Sequence, residues 1–207
     1  MIMDEPSIPP RRSYDNRARR EKAAQTRARI VTAGSELVHE FESWDWRELT
    51  FRAVAARAGV GERTVYRHFP TERLLHDAVM ERLEQDAGVA YEDVDLTNLD
   101  EVTGRVFASL HHFSVGGVIQ APNDPTFATV DERRREALRR SVACAAPQWT
   151  DTEQRMAAGL LDVLWHVPAY ERMVATWGLD GAEATRAISW LMGKVVRAID
   201  EDNPPPA

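Results

Sequence analysis

Arg63, Thr64, Tyr66, Arg67 and His68 crowd one short stretch of a 207-residue chain, with Thr50 and Arg52 closely before them. These side chains are donors and cations, suited to holding a polar partner rather than attacking one. An arginine can bridge two acceptors on a guanine edge, and a threonine methyl can pack on thymine. Elsewhere the sequence offers no nucleotide-binding glycine loop, no metal-ligand cluster and no nucleophile motif. His111 and His112 are adjacent, and neighbouring helical positions point about 100° apart, so they do not form a metal pair. Scattered Ser, His and Asp residues define no catalytic arrangement. An enzyme is therefore the weaker class, and no cofactor is expected.

Charge is unevenly spread. Residues 1–82 hold 15 Lys and Arg against 13 Asp and Glu, whereas residues 83–207 hold 11 against 20. Eight basic residues fall between Arg11 and Arg29, opposed only by Asp15 and Glu21. An acidic protein with one basic end suggests that this end alone meets a polyanion. A solvated basic tail is the plainer reading of the same residues. The start lacks a signal-peptide pattern, and no stretch approaches the about 20 apolar residues that span a bilayer. The one cysteine, Cys144, cannot staple the fold, which makes a reducing cytoplasm the simplest compartment. Among alanines on a helix, it reads as a small packed residue rather than a redox sensor.

The elements that must position these residues all read as helices. Residues 1–17 carry three prolines and several arginines and form an expected flexible arm. Ile30, Ala33, Leu37, Val38 and Phe41 then recur at helical spacing on a long first helix. Thr50 is a good N-cap for a second helix with Phe51, Val54, Ala55 and Ala58 inward. Gly59 stops it, Gly61 allows re-entry into a short helix at about 62–68, and Phe69-Pro70 breaks the chain again. Thr71 caps a fourth helix whose apolar face is Leu74, Leu75, Ala78, Val79 and Leu83. Three short helices and a longer one, separated by Gly and Pro, make a compact helix-turn-helix unit.

Later segments carry no strand alternation. Helices are expected over about 99–115, 129–145 and from Asp151 or Thr152 onward, with Pro168 dividing the last near Val167. Asp180 with Glu183 resembles a capping box opening a final helix to about Ile199. Leu160, Val163, Leu164 and Val167 form one stripe, beside Leu161 and Trp165. Ile188, Leu191, Val195 and Ile199 form another, flanked by Trp190, Met192 and Val196. Such wide apolar surfaces exceed what one side of a helix pair needs. Either they face their own core, or they bury against the same helices of a second chain.

The stretch from Leu49 to Pro70 resembles the DNA-binding signature of the TetR family of repressors. The likeness rests on Leu49-Thr50 before the second helix, on Val54-Ala55 and Ala58-Gly59-Val60 at the turn, and on Thr64-Val65-Tyr66-x-His68-Phe69. Thr71, Leu74 and Leu75 continue the pattern, and the match spans roughly residues 25–80. Glu72 stands where many members carry a phosphate-binding lysine, and Arg63 where glycine is frequent. The resemblance implies an all-α fold. An N-terminal three-helix helix-turn-helix domain (18–70, after the arm at 1–17) would precede a C-terminal helical ligand-binding and dimerisation domain (71–207). It implies that Tyr66 and His68 contact phosphates, that Arg63, Thr64 and Arg67 read bases or phosphates, and that Thr50 and Arg52 hold the backbone. Arg57 is expected to face solvent or an acidic neighbour. The arm arginines Arg11, Arg12, Arg17, Arg19 and Arg20 are expected to follow phosphates or enter a minor groove.

One reading helix covers too little DNA, so a symmetric dimer on a palindromic operator is expected. Its contacts would come from the helices at about 152–167 and 181–199. The family mechanism implies a small-molecule effector bound among the later helices that releases the DNA. Candidate ligand contacts are Phe107, His111, Phe113, Trp149, Trp165 and Trp177, with His112, Phe127 and His166 as further aromatic or ambivalent side chains; each could equally be core. The alternative is a DNA-binding regulator without a small ligand, acting constitutively or through a protein partner.

Overall fold

A computed structural model describes residues 14–42, 44–110 and 125–206, with side chains from residue 17 onward in the first of these stretches and from 126 in the last. Arg11, Arg12, His111, His112 and Phe113 lie outside the described residues. Helix α1 (Tyr14–Glu40) is followed by a single 3-10 turn at Trp46–Glu48, then by α2 (Phe51–Ala58), α3 (Glu62–His68) and α4 (Glu72–Asp86). Helices α5 (Leu99–Leu110), α6 (Ala128–Ala145), α7 (Asp151–Trp165), α8 (Val167–Trp177) and α9 (Gly181–Asp200) complete the fold. No strand occurs among the described residues, so the all-α expectation holds.

Local chemistry explains most boundaries. The Thr50 and Thr71 hydroxyls accept from Ala53 N (3.2 Å) and Leu74 N (3.3 Å), satisfying amides that open α2 and α4. Gly59 ends α2 at φ 63°, a left-handed conformation that side chains with a Cβ adopt only at a cost. Reciprocal capping boxes, Thr150 with Glu153 and Asp180 with Glu183, open α7 and α9. Helices α7 and α8 separate at His166, which is extended (φ −86°, ψ 140°), so that Pro168 sits in the first turn of α8 where its missing N–H costs nothing.

Four expectations change. Helix α1 begins at Tyr14, inside the stretch read as a flexible arm. Arg17 pairs there with Glu21 at 2.9 Å, an i,i+4 pair that supports a helical turn over a loose arm. Leu74 is exposed, because the buried face of α4 is set by Leu75, His76, Ala78 and Val79. Cys144 is exposed rather than packed, since α6 buries Ala137, Leu138, Ser141 and Val142 instead. The stripe read on α7 is split. Leu161 and Trp165 are the core residues, whereas Leu160 and Val163 point to solvent.

The N-terminal helices pack α1 against α2 and α4. Gly34 makes this approach possible: a Cβ there would lie 2.5 Å from Val79 Cγ2, and Val79 is fully buried on α4. A valine has few rotamers with which to retreat. Gly34→Ala is therefore expected to destabilise the protein by ~1–3 kcal/mol, the usual cost of overpacking, despite alanine's better helix propensity. Denaturant unfolding checks this, and an unchanged midpoint would contradict the close α1–α4 approach. In the C-terminal part, α5 and α7 pack on α9, α6 packs along α7, and α8 packs on both α7 and α9.

Candidate nucleic-acid interface and ligand cavity

Helix α3 is anchored by two apolar side chains, and the rest of it faces outward. Val65 is fully buried and Phe69, just after the helix, nearly so, while Val54 closes the small core from α2. Arg63, Tyr66 and Arg67 are consequently exposed on one surface, and Thr64 is half-buried beside them. Tyr66 is 60% exposed, yet its ring meets Phe51 edge-to-face at 6.0 Å, which orients the phenol without burying it. Such a short helix, seated on a rigid base with its polar side chains outward, has the shape that enters a major groove.

The neighbouring candidates differ in readiness. Arg52 is exposed on α2, whereas the Thr50 hydroxyl is engaged as the α2 cap. His68 is half-buried, and its Nε2 has no hydrogen-bond partner among the described residues. Desolvation, then the charges of Arg67 and Arg27, push its pKa below the ordinary histidine value and favour the neutral ring. Arg57 is committed elsewhere, paired with Glu40 and, at 3.6 Å, with Glu36 on α1. Arg27 lies over the Phe69 ring at 4.9 Å, bringing α1 charge to the end of α3. Glu72 occupies the first turn of α4, where its charge complements the helix dipole.

Helix α4 ties this unit to the rest. Buried His76 bonds the Leu49 carbonyl through Nε2 at 2.9 Å, just ahead of the α2 cap. Trp46 stands edge-on to His76 at 5.6 Å and to Phe127 at 5.5 Å, and Trp44 stacks on Phe127 at 6.5 Å. Sequence reading missed this aromatic column. The only signal for it was Trp44 and Trp46, two residues apart between the first and second helices.

The column leads to a cavity of about 90 Å³ between α4, α5, α6 and the α7–α8 break. Its walls combine Leu83, Tyr91, Phe127 and Trp165 with Glu84, Asp131 and Arg134. Buried Arg134 donates through Nη1 to Asp131 and through Nε to Asp162, both at 2.8 Å. Glu84 Oε2 accepts from Arg133 at 2.7 Å, but Glu84 Oε1 and the Trp165 indole N–H are buried with no partner among the described residues. Burial pushes Glu84 up to about 7, against the pull of Arg133. Burial, followed by the charge of Arg134, lowers His166 and keeps it neutral near pH 7, although Asp131 lies 3.8 Å away.

The ligand candidates scatter. Trp165 lines this cavity, as do the further residues Phe127 and His166. Phe107 is fully buried and stacked on Tyr170 at 5.0 Å, a core pair away from the cavity walls. The Trp149 indole donates to Asp202 Oδ1 at 2.7 Å and packs under the C-terminal turn. Trp177 is 72% exposed at the end of α8. Glu84, Asp131 and Arg134 were missed. They read as surface charges because each sits in a strongly charged run, and only the packing of α4 against α6 turns them inward.

Exposed Arg63, Tyr66 and Arg67 on a buried helix base, with an α4 connection to a helical C-terminal part, make a helix-turn-helix unit. Residues 38–79 match the family described as bacterial regulatory proteins, tetR family, which makes this part of the chain that of a DNA-binding transcriptional regulator. The fold is similar to that of a crystallised transcriptional regulator from Rhodococcus sp. Rha1. The two share 17% identity and a TM-score of 0.59, over 84% of this chain and 97% of that one. No curated protein gives a match. No described helix is long and apolar enough to cross a membrane.

Proposed function

We propose that the protein is a homodimeric repressor that holds a palindromic operator and leaves it when a small molecule occupies the cavity beside α4. The observation that carries this reading is the outward row Arg63, Tyr66 and Arg67 on α3, fixed from below by Val65 and Phe69. Residues 18–70 act as the DNA-binding unit and 71–207 as the ligand-binding and dimerisation unit, in the cytoplasm. Arg63, Thr64 and Arg67 meet base edges or phosphates, and Tyr66 meets a phosphate. Arg52 and Thr50 lie against the backbone, Thr50 with whatever capacity its capping bond leaves. His68, neutral and with Nε2 buried, contributes through its other ring nitrogen.

Two features support the remaining parts. Leu160 and Val163 on α7, with Trp190 and Leu191 on α9, expose large apolar side chains on adjacent helices, and such a patch marks a protein-binding surface. The cavity touches α4, which also holds the Leu49 carbonyl through His76. A ligand that prefers one α4 position thereby biases the spacing of the two reading heads, the differential affinity that switching requires.

Selection of bound duplexes from a random library tests the reading. The wild-type protein is expected to enrich an inverted repeat. Tyr66→Ala and Arg67→Ala should each lower affinity for it by about tenfold to a hundredfold, the range of one phosphate or base contact, without changing the melting temperature. Enrichment of an unrepeated site would remove the symmetric dimer. Unchanged affinity in both variants would remove α3 as the reading helix.

A further inference from the structure

The cavity beside α4 has an unmatched acceptor. Its charged walls are Glu84, Asp131 and Arg134, with Arg133 paired to Glu84 and Arg134 also paired to Asp162, while His166 is neutral. Glu81 and Glu92 add negative potential at Glu84. The Glu84 side chain is only 9% exposed, and one of its two oxygens has no hydrogen-bond partner among the described residues; burial raises it to about 7, and a bound cation favours its ionised form. A buried acceptor left unpaired is costly, so a ligand that supplies the missing donor gains more than the same contact would give in water. Around it stand the rings of Trp44, Tyr91, Phe127 and Trp165, surfaces that attract cations as well as apolar bodies.

We propose that the effector is a lipophilic monocation, an apolar ring-bearing body carrying one protonated amine, whose ammonium donates to Glu84 Oε1 between the aromatic walls. This rests on the cavity being the effector site. Arg133 keeps Oε2, so the carboxylate stays oriented while its free oxygen takes the ligand. Arg134 remains held by Asp131 and Asp162 and offers no uncompensated positive charge to an anion. The unpaired Trp165 N–H accommodates a weak acceptor elsewhere on the ligand. Because Glu84 lies on α4, the ammonium pulls directly on the helix that carries His76.

A matched trio of probes tests it on the full-length protein: phenylpropylamine, phenylpropanol and phenylpropionate, followed by calorimetry and by quenching of the cavity tryptophans. The amine is expected to bind about tenfold or more tighter than the alcohol, as for a hydrogen bond to a charged group, and the carboxylate weakest. Glu84→Gln keeps the shape and removes the charge, so it should weaken the amine far more than the alcohol and close most of the gap between them. The order within the wild-type protein tests the proposal even if that variant folds poorly. Equal binding of all three, tightest binding of the carboxylate, or an amine preference that survives Glu84→Gln overturns the cationic effector while leaving the cavity as a ligand site. Failure of all three to bind overturns the cavity as effector site, and the present inference with it.

Discussion

Val163→Asp is expected to leave each chain folded but to break the dimer, lowering operator affinity by at least about a hundredfold. Val163 is 65% exposed, so a carboxylate there is well solvated in the monomer and should not disturb the melting of the fold. In a two-fold interface the same substitution occurs twice, and each carboxylate loses water against the partner's apolar surface. Burying an unpaired charge costs several kcal/mol per ion, enough to dominate a patch of this kind. Loss of the dimer also removes the second half-site from every binding event, and avidity goes with it. Sedimentation at the concentrations used for DNA binding reads the first effect, and operator titration the second. Trp190→Ala, at the other side of the patch, should weaken the dimer without introducing a charge, since aromatic side chains dominate interface energetics. A Val163→Asp protein that sediments as the wild type does would place the interface elsewhere on the surface.

Arg134→Leu should destabilise the protein by about 3 kcal/mol, the lower end of what removing one partner from a buried ion pair costs. The guanidinium is almost fully buried and bridges Asp131 on its own helix to Asp162 on α7, so it joins α6 to α7 at the cavity wall. Leucine fills much of the volume, and the loss comes from two carboxylates left facing one another without a cation. Both remain slightly exposed, which keeps the cost below that of a fully dry pair. Asp131→Asn added to Arg134→Leu should recover part of the loss, because the two sites are in contact and not additive. Denaturant unfolding of the single and double variants measures both. A double variant no more stable than Arg134→Leu would mean that packing, not charge, explains the loss.

The helix-turn-helix unit was readable because its determinants are local. Thr50, Gly59 and Thr71 act on amides or backbone angles within a few residues, so the sequence carries the whole cause. Val65 against Tyr66 and Arg67 follows from helical spacing in the same way. The ligand side was not readable. Phe107, Trp149 and Trp177 are aromatic like cavity walls, yet one stacks in the core, one caps the C-terminal turn and one faces solvent. Aromatic character says that a side chain wants a partner, but not which helix supplies it.

By itself the sequence determined an all-helical chain, the position of each capped helix, the outward residues of α3 and a resemblance specific enough to name a family. Tertiary structure alone decided which face of α7 is core and which is left bare. It also decided that Trp44, Trp46, Phe127 and His76 form one column, and that Glu84 and Arg134 turn inward. The reason is one of range. Caps and helical periodicity depend on neighbours a turn away, whereas a cavity exists only between helices whose closest residues are 28 to 49 positions apart, as Arg134 is from Asp162 and Arg133 from Glu84.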